Sequence, residues 1–429
     1  MERFFNLLSK AIKHELITGS FYVFLGFITS SFLSFLLNLF LARNLSYGDY
    51  GSYSSLLSIY NLATIPVGSL GITIVRFAGT YFANAELDKL ASFYKKTLIF
   101  WFAVSLLIFI IYFLAVPLLS SFLKMENSLS LLIIGLAISA SYLGISNSSF
   151  LQAMTRFKSI SIILGSGAIV RLITGIILVS SGLKLFGSTL SIFVSPAFSF
   201  IVGIIPLRFL LGHSSRSKVQ LHTKEIIKYG LPVSLAVFFL SSYISSDVLL
   251  VKHFFPEEQA GYYGGLSLIG KVIFYFTAPI PTVMFPLIIK REARGESTKN
   301  LLYLSILLIL IPSIAISAFY FIYPRFSISF FLGGGEYFRI ANYLGFFGIF
   351  LTLFSINNIL VNFFLSLKKT LVVYLVAFGA ALQIILIFFF HRNFGSVISS
   401  GIISSIFLLV ALLLYYMKEY GFHNTSEQR

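Results

Sequence analysis

The chain has 429 residues, 57% of them hydrophobic and 11% charged, and a net charge of +16. Soluble domains carry about 25% charged residues, so this chain has too little polar surface for a fold in water, and a bilayer has to be its solvent. It contains no cysteine, which excludes disulfides, thiolate metal sites and cysteine nucleophiles.

Met1 to Glu15 reads as an amphipathic stretch with no small-residue cleavage site before the first long apolar run. A spanning helix needs roughly 20 apolar residues. Twelve such runs follow in order, at 19–42, 52–75, 97–119, 129–152, 159–181, 186–211, 229–251, 262–289, 300–323, 341–365, 370–390 and 395–417. They are apolar throughout, whereas membrane strands alternate over about ten residues. The expected fold is therefore all-α, a polytopic membrane protein of about twelve transmembrane helices.

The excess of basic residues has a topological reading that replaces nucleic-acid binding. With a cytoplasmic N-terminus, 22 of the 31 Lys and Arg fall in cytoplasmic segments and 7, Lys252 among them, in outer loops. Positive-inside bias supports that orientation, with both termini cytoplasmic in a cell membrane. The longest basic loop, about 212–228, divides the chain into a six-helix lobe at 1–211 and another at 229–418, followed by a tail at 419–429. The halves carry a weak internal repeat. Leu39 to Ile59 aligns with Leu249 to Ile269 at a spacing of 210 residues, with Gly51 on Gly261 and Tyr53 on Tyr263. Six helices in each half make this a parallel repeat, so the two bundles are pseudo-symmetric about the membrane normal.

Three segments resemble a known family. They are Leu41-Ala42-Arg43-Asn44-Leu45 with Tyr47-Gly48-Asp49-Tyr50-Gly51-Ser52-Tyr53, then Leu151-Gln152-Ala153-Met154-Thr155-Arg156-Phe157, then Tyr229-Gly230-Leu231-Pro232 followed by Asp247 and Gly261-Tyr262-Tyr263. In order and spacing the chain resembles the polysaccharide biosynthesis family of Wzx-type oligosaccharide flippases, within the superfamily of multidrug and toxic compound extrusion transporters. The resemblance implies two rocking helix bundles around a central cavity. It also implies transport of a polyprenyl-(pyro)phosphate-linked oligosaccharide to the outer leaflet, with membrane lipid and glycan polymerase or ligase machinery as partners.

Charges inside apolar runs single out the candidate site. A Lys or Arg at mid-membrane costs roughly 2.5–3.5 kcal/mol on insertion scales, so each needs a partner or a wet cavity. Arg171 lies in the fifth run and Lys271 in the eighth. Both are candidates for holding an anionic headgroup, Arg through a bidentate fork and Lys as a point charge. Asp247, in the seventh run, is a candidate coupling residue or an ion-pair partner for Lys271. Arg76 and Arg291 end the second helix of each half, where they either meet an arriving phosphate or serve as interfacial anchors. Asn38, Asn147, Asn358 and Asn362 are candidates for sugar hydroxyls; amides of this kind equally bond neighbouring helices. Asn358 and Asn362 are four apart and share a face.

The histidines at 14, 213, 222, 253, 391 and 423 are scattered without an HExxH or an i,i+4 pair, so no metal and no cofactor is expected. Gly265 to Lys271 fits seven places of a phosphate loop, but the eighth is Val272, where magnesium binding needs Ser or Thr. A drug or cation exporter of the sister family would have an acidic or apolar site. A membrane glycosyltransferase or polymerase would need acidic catalytic residues, and the 15 Asp and Glu include no DxD pair. A transporter, not an enzyme, is expected.

Overall fold

A computed structural model describes residues 2–126, 128–213, 223–292 and 294–420. Residues 214–222 of the expected linker and 421–429 of the expected tail lie outside the described residues. The described chain is helical throughout. The helices are α1 (Glu2–Asn44), α2 (Tyr47–Ala83), α3 (Leu87–Leu123), α4 (Ser128–Ala153), α5 (Phe157–Leu178), α6 (Lys184–Ile204), α7 (Arg208–Gly212), α8 (Thr223–Ser242), α9 (Ser246–Phe254) and α10 (Glu257–Gly270). There follow α11 (Val272–Thr277), α12 (Pro279–Glu292), α13 (Lys299–Ile322), α14 (Pro324–Leu332), α15 (Ala341–Ser366), α16 (Val372–Phe389) and α17 (Phe394–Tyr420).

Among the described residues nine helices are long and apolar enough to cross a membrane, and ten if the bent pair α8–α9 counts as one. This is a coarser count than the twelve runs of the sequence. One of the nine spans 56 residues, Phe157–Gly212, far beyond the roughly 20 that one crossing takes. Within it the backbone turns at Gly182, φ 87°, and Lys184, φ 39°, so that α5 and α6 pack side by side. The 37-residue α2 stands outside the nine.

Contacts gather the chain into two compact units, 1–44 with 63–234 and 45–62 with 235–429. The lobes expected from sequence, 1–211 and 229–418, differ from these units chiefly in the placing of residues 45–62, the start of α2.

In the first unit α1 lies along α5, α3 along α4, and α6 against both α4 and α5. Small residues let these helices close up, as membrane bundles require. A Cβ on Gly26 would stand 2.7 Å from Ser161 Oγ, and one on Gly175 would stand 2.7 Å from Leu37 Cδ1. Hydrogen bonds lock the seams: Ser105 Oγ donates to the Ser139 carbonyl at 2.8 Å, and Tyr94 Oη donates to Asn147 Oδ1 at 2.7 Å.

In the second unit α15 is the central helix, packed on α10, α11, α12, α13 and α17. Phe347, Phe350, Phe354 and Phe363 are buried along it. Gly270 of α10 sits directly on the Phe347 ring, where no side chain fits. Polar pairs again mark the seams: Thr277 with Ser355 at 3.0 Å, Ser317 with Thr352 at 3.1 Å, and Tyr320 Oη donating to the Ile269 carbonyl at 2.8 Å. The start of α2 belongs here too. Its Gly51 meets Gly261, the residue it aligns with in the internal repeat; a Cβ on Gly51 would stand 2.6 Å from the Gly261 amide nitrogen.

Candidate functional site

The seventh and eighth hydrophobic runs do not form straight helices. Between α8 and α9 the axis bends by 45° around residues 243–245. The cause is local. Serines compete with the backbone for its own hydrogen bonds and bend helices when they bond back to the i−4 carbonyl. Here Ser242 Oγ donates to the Phe238 carbonyl at 2.9 Å and Ser246 Oγ to the Ser242 carbonyl at 2.6 Å. A bend of this kind frees a carbonyl, and a buried one needs a donor. The fully buried Gln383 of α16 supplies it, its Nε2 donating to the Tyr243 carbonyl at 3.1 Å. Gln383→Leu is expected to destabilise the protein by about 1–3 kcal/mol, the cost of an unmet buried acceptor. Thermal unfolding in detergent measures it.

Asp247 occupies the first turn of α9, the position where a helix favours negative charge. It is 1% exposed. Tyr263 Oη of α10 donates to its Oδ2 at 2.9 Å. The backbone amides of Asp247 and Val248 lie beside the carboxylate. Its Oδ1 has no hydrogen-bond partner among the described residues.

Lys271 sits where α10 gives way to α11, and it caps the C-terminal end of α10 with φ −61° and ψ −9°. The break is a kink rather than an opening. The Lys271 amide still donates to the Ser267 carbonyl at 3.0 Å, and its own carbonyl accepts from Tyr275 at 2.9 Å. Gly270 before it, Pro279 and Pro281 after it, divide the eighth run into three short helices. The Lys271 side chain is half-buried and makes no hydrogen bond among the described residues. Its electrostatic neighbour is Asp247, yet no ion pair among the described residues joins them. Asp247 thus lies at the N-terminal end of α9, and Lys271 at the kink that joins α10 to α11.

The other sequence candidates distribute as follows. Arg171, half-buried on α5, and Arg76, exposed on α2 with its guanidinium 6.0 Å from the Phe77 ring, belong to the first unit. Arg291, in the last turn of α12, donates to the Ser297 carbonyl at 3.3 Å and so ties down its own loop. Asn38 donates to the Ser34 carbonyl of its own helix at 2.7 Å. Asn358 and Asn362 share a face of α15 and bond each other, Asn362 Nδ2 donating to Asn358 Oδ1 at 2.9 Å. Asn147 is a helix-to-helix lock: beyond its bond from Tyr94, its Nδ2 donates to the Phe200 carbonyl of α6 at 2.9 Å. With both polar atoms of the amide engaged and the residue 3% exposed, it bonds neighbouring helices of the first unit, the other role the sequence leaves open to such amides.

Sequence reasoning missed three features. Tyr263 was legible as a repeat residue but not as the donor to Asp247. Gln383 gave no signal beyond being an amide in an apolar run. Lys252, counted with the loop cations, is 2% exposed in the last turn of α9. Its Nζ pairs with Glu257 Oε1 at 3.1 Å, an oxygen that also accepts from Ser52 at 3.2 Å. The glycine-rich stretch 265–270 is helix, with Gly265 against Tyr337 and Gly270 against Phe347, so its amides are not splayed into a phosphate loop.

The fold is that of known transporters. An inward-facing multidrug resistance transporter of the MATE family, in the MOP superfamily, superposes with a TM-score of 0.71 at 12% identity, covering 91% of this chain and 96% of its own. The lipid II flippase MurJ in an inward closed conformation gives 0.65 at 16% identity, covering 89% and 86%. The eukaryotic MATE transporter AtDTX14 gives 0.62 at 15%, covering 91% and 96%. No curated protein sequence matches this chain. The family model described as "Polysaccharide biosynthesis protein" matches residues 16–292, well over half of the sequence. The chain therefore belongs to the polysaccharide biosynthesis protein family, and it is a multi-pass membrane protein with the fold of transporters rather than an enzyme.

Proposed function

We propose that the protein is a flippase that moves a polyprenyl-(pyro)phosphate-linked oligosaccharide from the cytoplasmic to the outer leaflet of the cell membrane. Twelve helices, in lobes at 1–211 and 229–418 joined by 212–228, cross the bilayer with both termini in the cytoplasm. The lobes alternate access to a cavity. The glycan and phosphate travel through it while the lipid tail stays in the bilayer. Sugars need such a path because each unpaired hydroxyl loses its bonds to water in about 30 Å of hydrocarbon.

The observation that carries the reading is Lys271: a half-buried ammonium at a helix kink, with no hydrogen bond to it among the described residues, in a chain with very few charges. Its chemistry suits a phosphate or pyrophosphate. Arg171 adds a second cation, and Arg76 and Arg291 receive the headgroup at the cytoplasmic side. Asn38, Asn358 and Asn362 are the amides left to meet sugar hydroxyls. Family membership supports the glycan-lipid substrate, and the likeness to a lipid II flippase supports the mode of transport. The multidrug transporters share the fold, but an exporter of cationic drugs has no use for a basic site. The membrane potential drives an outward-moving anion by roughly 2.3 kcal/mol per charge per 100 mV.

Cells lacking the protein are expected to accumulate a lipid-linked glycan in the cytoplasmic leaflet, with drug sensitivity unchanged. Mass spectrometry of extracted lipids reads the first and growth inhibition the second. Normal lipid-linked glycans together with heightened drug sensitivity would overturn the assignment.

A further inference from the structure

The turn between α3 and α4 borders a cavity that belongs to the first unit alone. We propose that this cavity binds the headgroup of a zwitterionic phospholipid with a primary ammonium, of the phosphatidylethanolamine class. The site goes beyond the flippase reading and does not depend on the substrate carried.

α3 is apolar enough to cross a membrane and ends at Leu123. Lys124 and Glu126, just past that end, therefore lie at the boundary between hydrocarbon and water. In the topology proposed above, that boundary belongs to the outer leaflet. The cavity has a volume of about 700 Å³, within the roughly 300–1,000 Å³ of small-molecule sites. Val116 and Pro117 give it an apolar wall. Ser121 and Ser128 bring hydroxyls, and Lys124 and Glu126 bring one charge of each sign. Both charged residues are exposed, and neither is in an ion pair among the described residues.

The backbone at Lys124 points to a use for its side chain. The residue closes α3 in the left-handed region, with φ 52° and ψ 46°. Helices often end on such a residue, but it is usually glycine, because a Cβ crowds the backbone there. The rest of the turn is well bonded. The Met125 amide donates to the Ser120 carbonyl at 3.0 Å, and Ser120 Oγ donates to the Met125 carbonyl. Glycine would make the same turn with less strain, so the turn itself gives no reason for a lysine.

The exposed face of α3 leads into the cavity. Leu107, Ile111, Leu114 and Leu118 succeed one another at intervals of four and three residues, and each is more than half exposed. Residues at that spacing share one face of a helix. Ser121, three residues further along the same face, lines the cavity. An acyl chain lying on this stripe brings its own headgroup to Lys124 and Glu126. The ammonium of Lys124 donates to the lipid phosphate, and the Glu126 carboxylate accepts from the lipid ammonium, two charge-assisted bonds of opposite sense. Phosphatidylcholine has no N–H to give Glu126. Phosphatidylglycerol has no cation and brings only a negative charge toward it. Charge complementarity thus selects the zwitterion that can donate.

Native mass spectrometry tests the selection on the purified full-length protein in detergent. The protein is given equal amounts of phosphatidylethanolamine, phosphatidylcholine and phosphatidylglycerol with the same acyl chains, and the first lipid bound is counted. Phosphatidylethanolamine is expected to exceed each of the others by roughly threefold, the effect of one exposed charge pair. Glu126→Gln is expected to abolish that preference and to raise the share of phosphatidylglycerol. Lys124→Gly keeps the left-handed turn, so it is expected to hold or raise the unfolding temperature while lowering the binding of all three lipids. Equal binding of the three lipids by the wild type would overturn the site, and so would a preference that survives Glu126→Gln. Lipid binding unchanged in Lys124→Gly would reduce Lys124 to a turn residue and overturn the site as well.

Discussion

Lys271→Leu is expected to reduce glycan export tenfold or more while the protein still inserts and folds. The two halves of that expectation come from opposite entries of one energy balance. A charge-assisted hydrogen bond contributes about 1.5–3 kcal/mol, and each 1.4 kcal/mol is about tenfold in affinity, so removing the ammonium weakens headgroup binding by one to two orders of magnitude. Insertion moves the other way, since a mid-helix Lys costs roughly 2.5–3.5 kcal/mol and Leu is favourable. One complication is Asp247, which loses a neighbouring positive charge in the variant. The double variant Lys271→Leu with Asp247→Asn removes that penalty. If export stays low while thermal stability recovers, the loss belongs to substrate binding and not to an uncompensated acid. Lys271→Arg keeps the charge and is expected to retain most of the activity, because the anion still finds a donor. Full export by Lys271→Leu would mean that the headgroup is held elsewhere. Surface glycan, measured in cells lacking the native protein and carrying each variant, reads all three.

The sequence showed the solvent, the helical class and the family clearly, because each rests on properties that add up over many residues. Apolar runs of more than 20 residues have few alternatives, and a Lys or an Asp inside one stands out at once. That logic singled out Asp247 and Lys271. What stayed hidden is geometry that depends on single contacts. Hydropathy does not register that Ser242 and Ser246 bend a helix, since serine in an apolar run barely changes the average. Nor does it register that Gly270, beside the kink at Lys271, is pinned against Phe347, 77 residues later. The loop assignment of Lys252 failed for a related reason. A lysine at the end of an apolar run normally reaches water, and its burial here depends on Glu257, which follows the turn at Pro256. The asparagines illustrate the same limit from the other side. Spacing alone put Asn358 and Asn362 on one face, which they share, but only the neighbours of Asn147 reveal that its amide is already engaged.

Gly261→Val is expected to be the most destabilising single change at the start of α10, and comparison with a second glycine isolates the reason. A Cβ on Gly261 would overlap the carbonyl oxygen of Tyr47. That oxygen belongs to the backbone of α2, so no rotamer change relieves the clash, and one of the two helices has to shift. Overpacking typically costs about 1–3 kcal/mol, and a backbone obstacle with a branched side chain belongs at the upper end. The smaller change Gly261→Ala already meets the obstacle. Gly165, in the interior of α5, has no atom within 4 Å of its would-be Cβ. Alanine there is expected to be neutral or stabilising, since it is better than glycine in a helix by about 1 kcal/mol. The same chemical substitution should therefore lower the unfolding temperature at 261 and leave or raise it at 165. Gly51→Ala, facing Gly261 across the contact, is expected to behave like Gly261→Ala, and the double variant should cost less than the sum, because the first substitution already separates the helices. Equal unfolding temperatures for Gly261→Ala and Gly165→Ala would show that the two repeat-related glycines are not in close contact, and that their match in sequence has no role in packing.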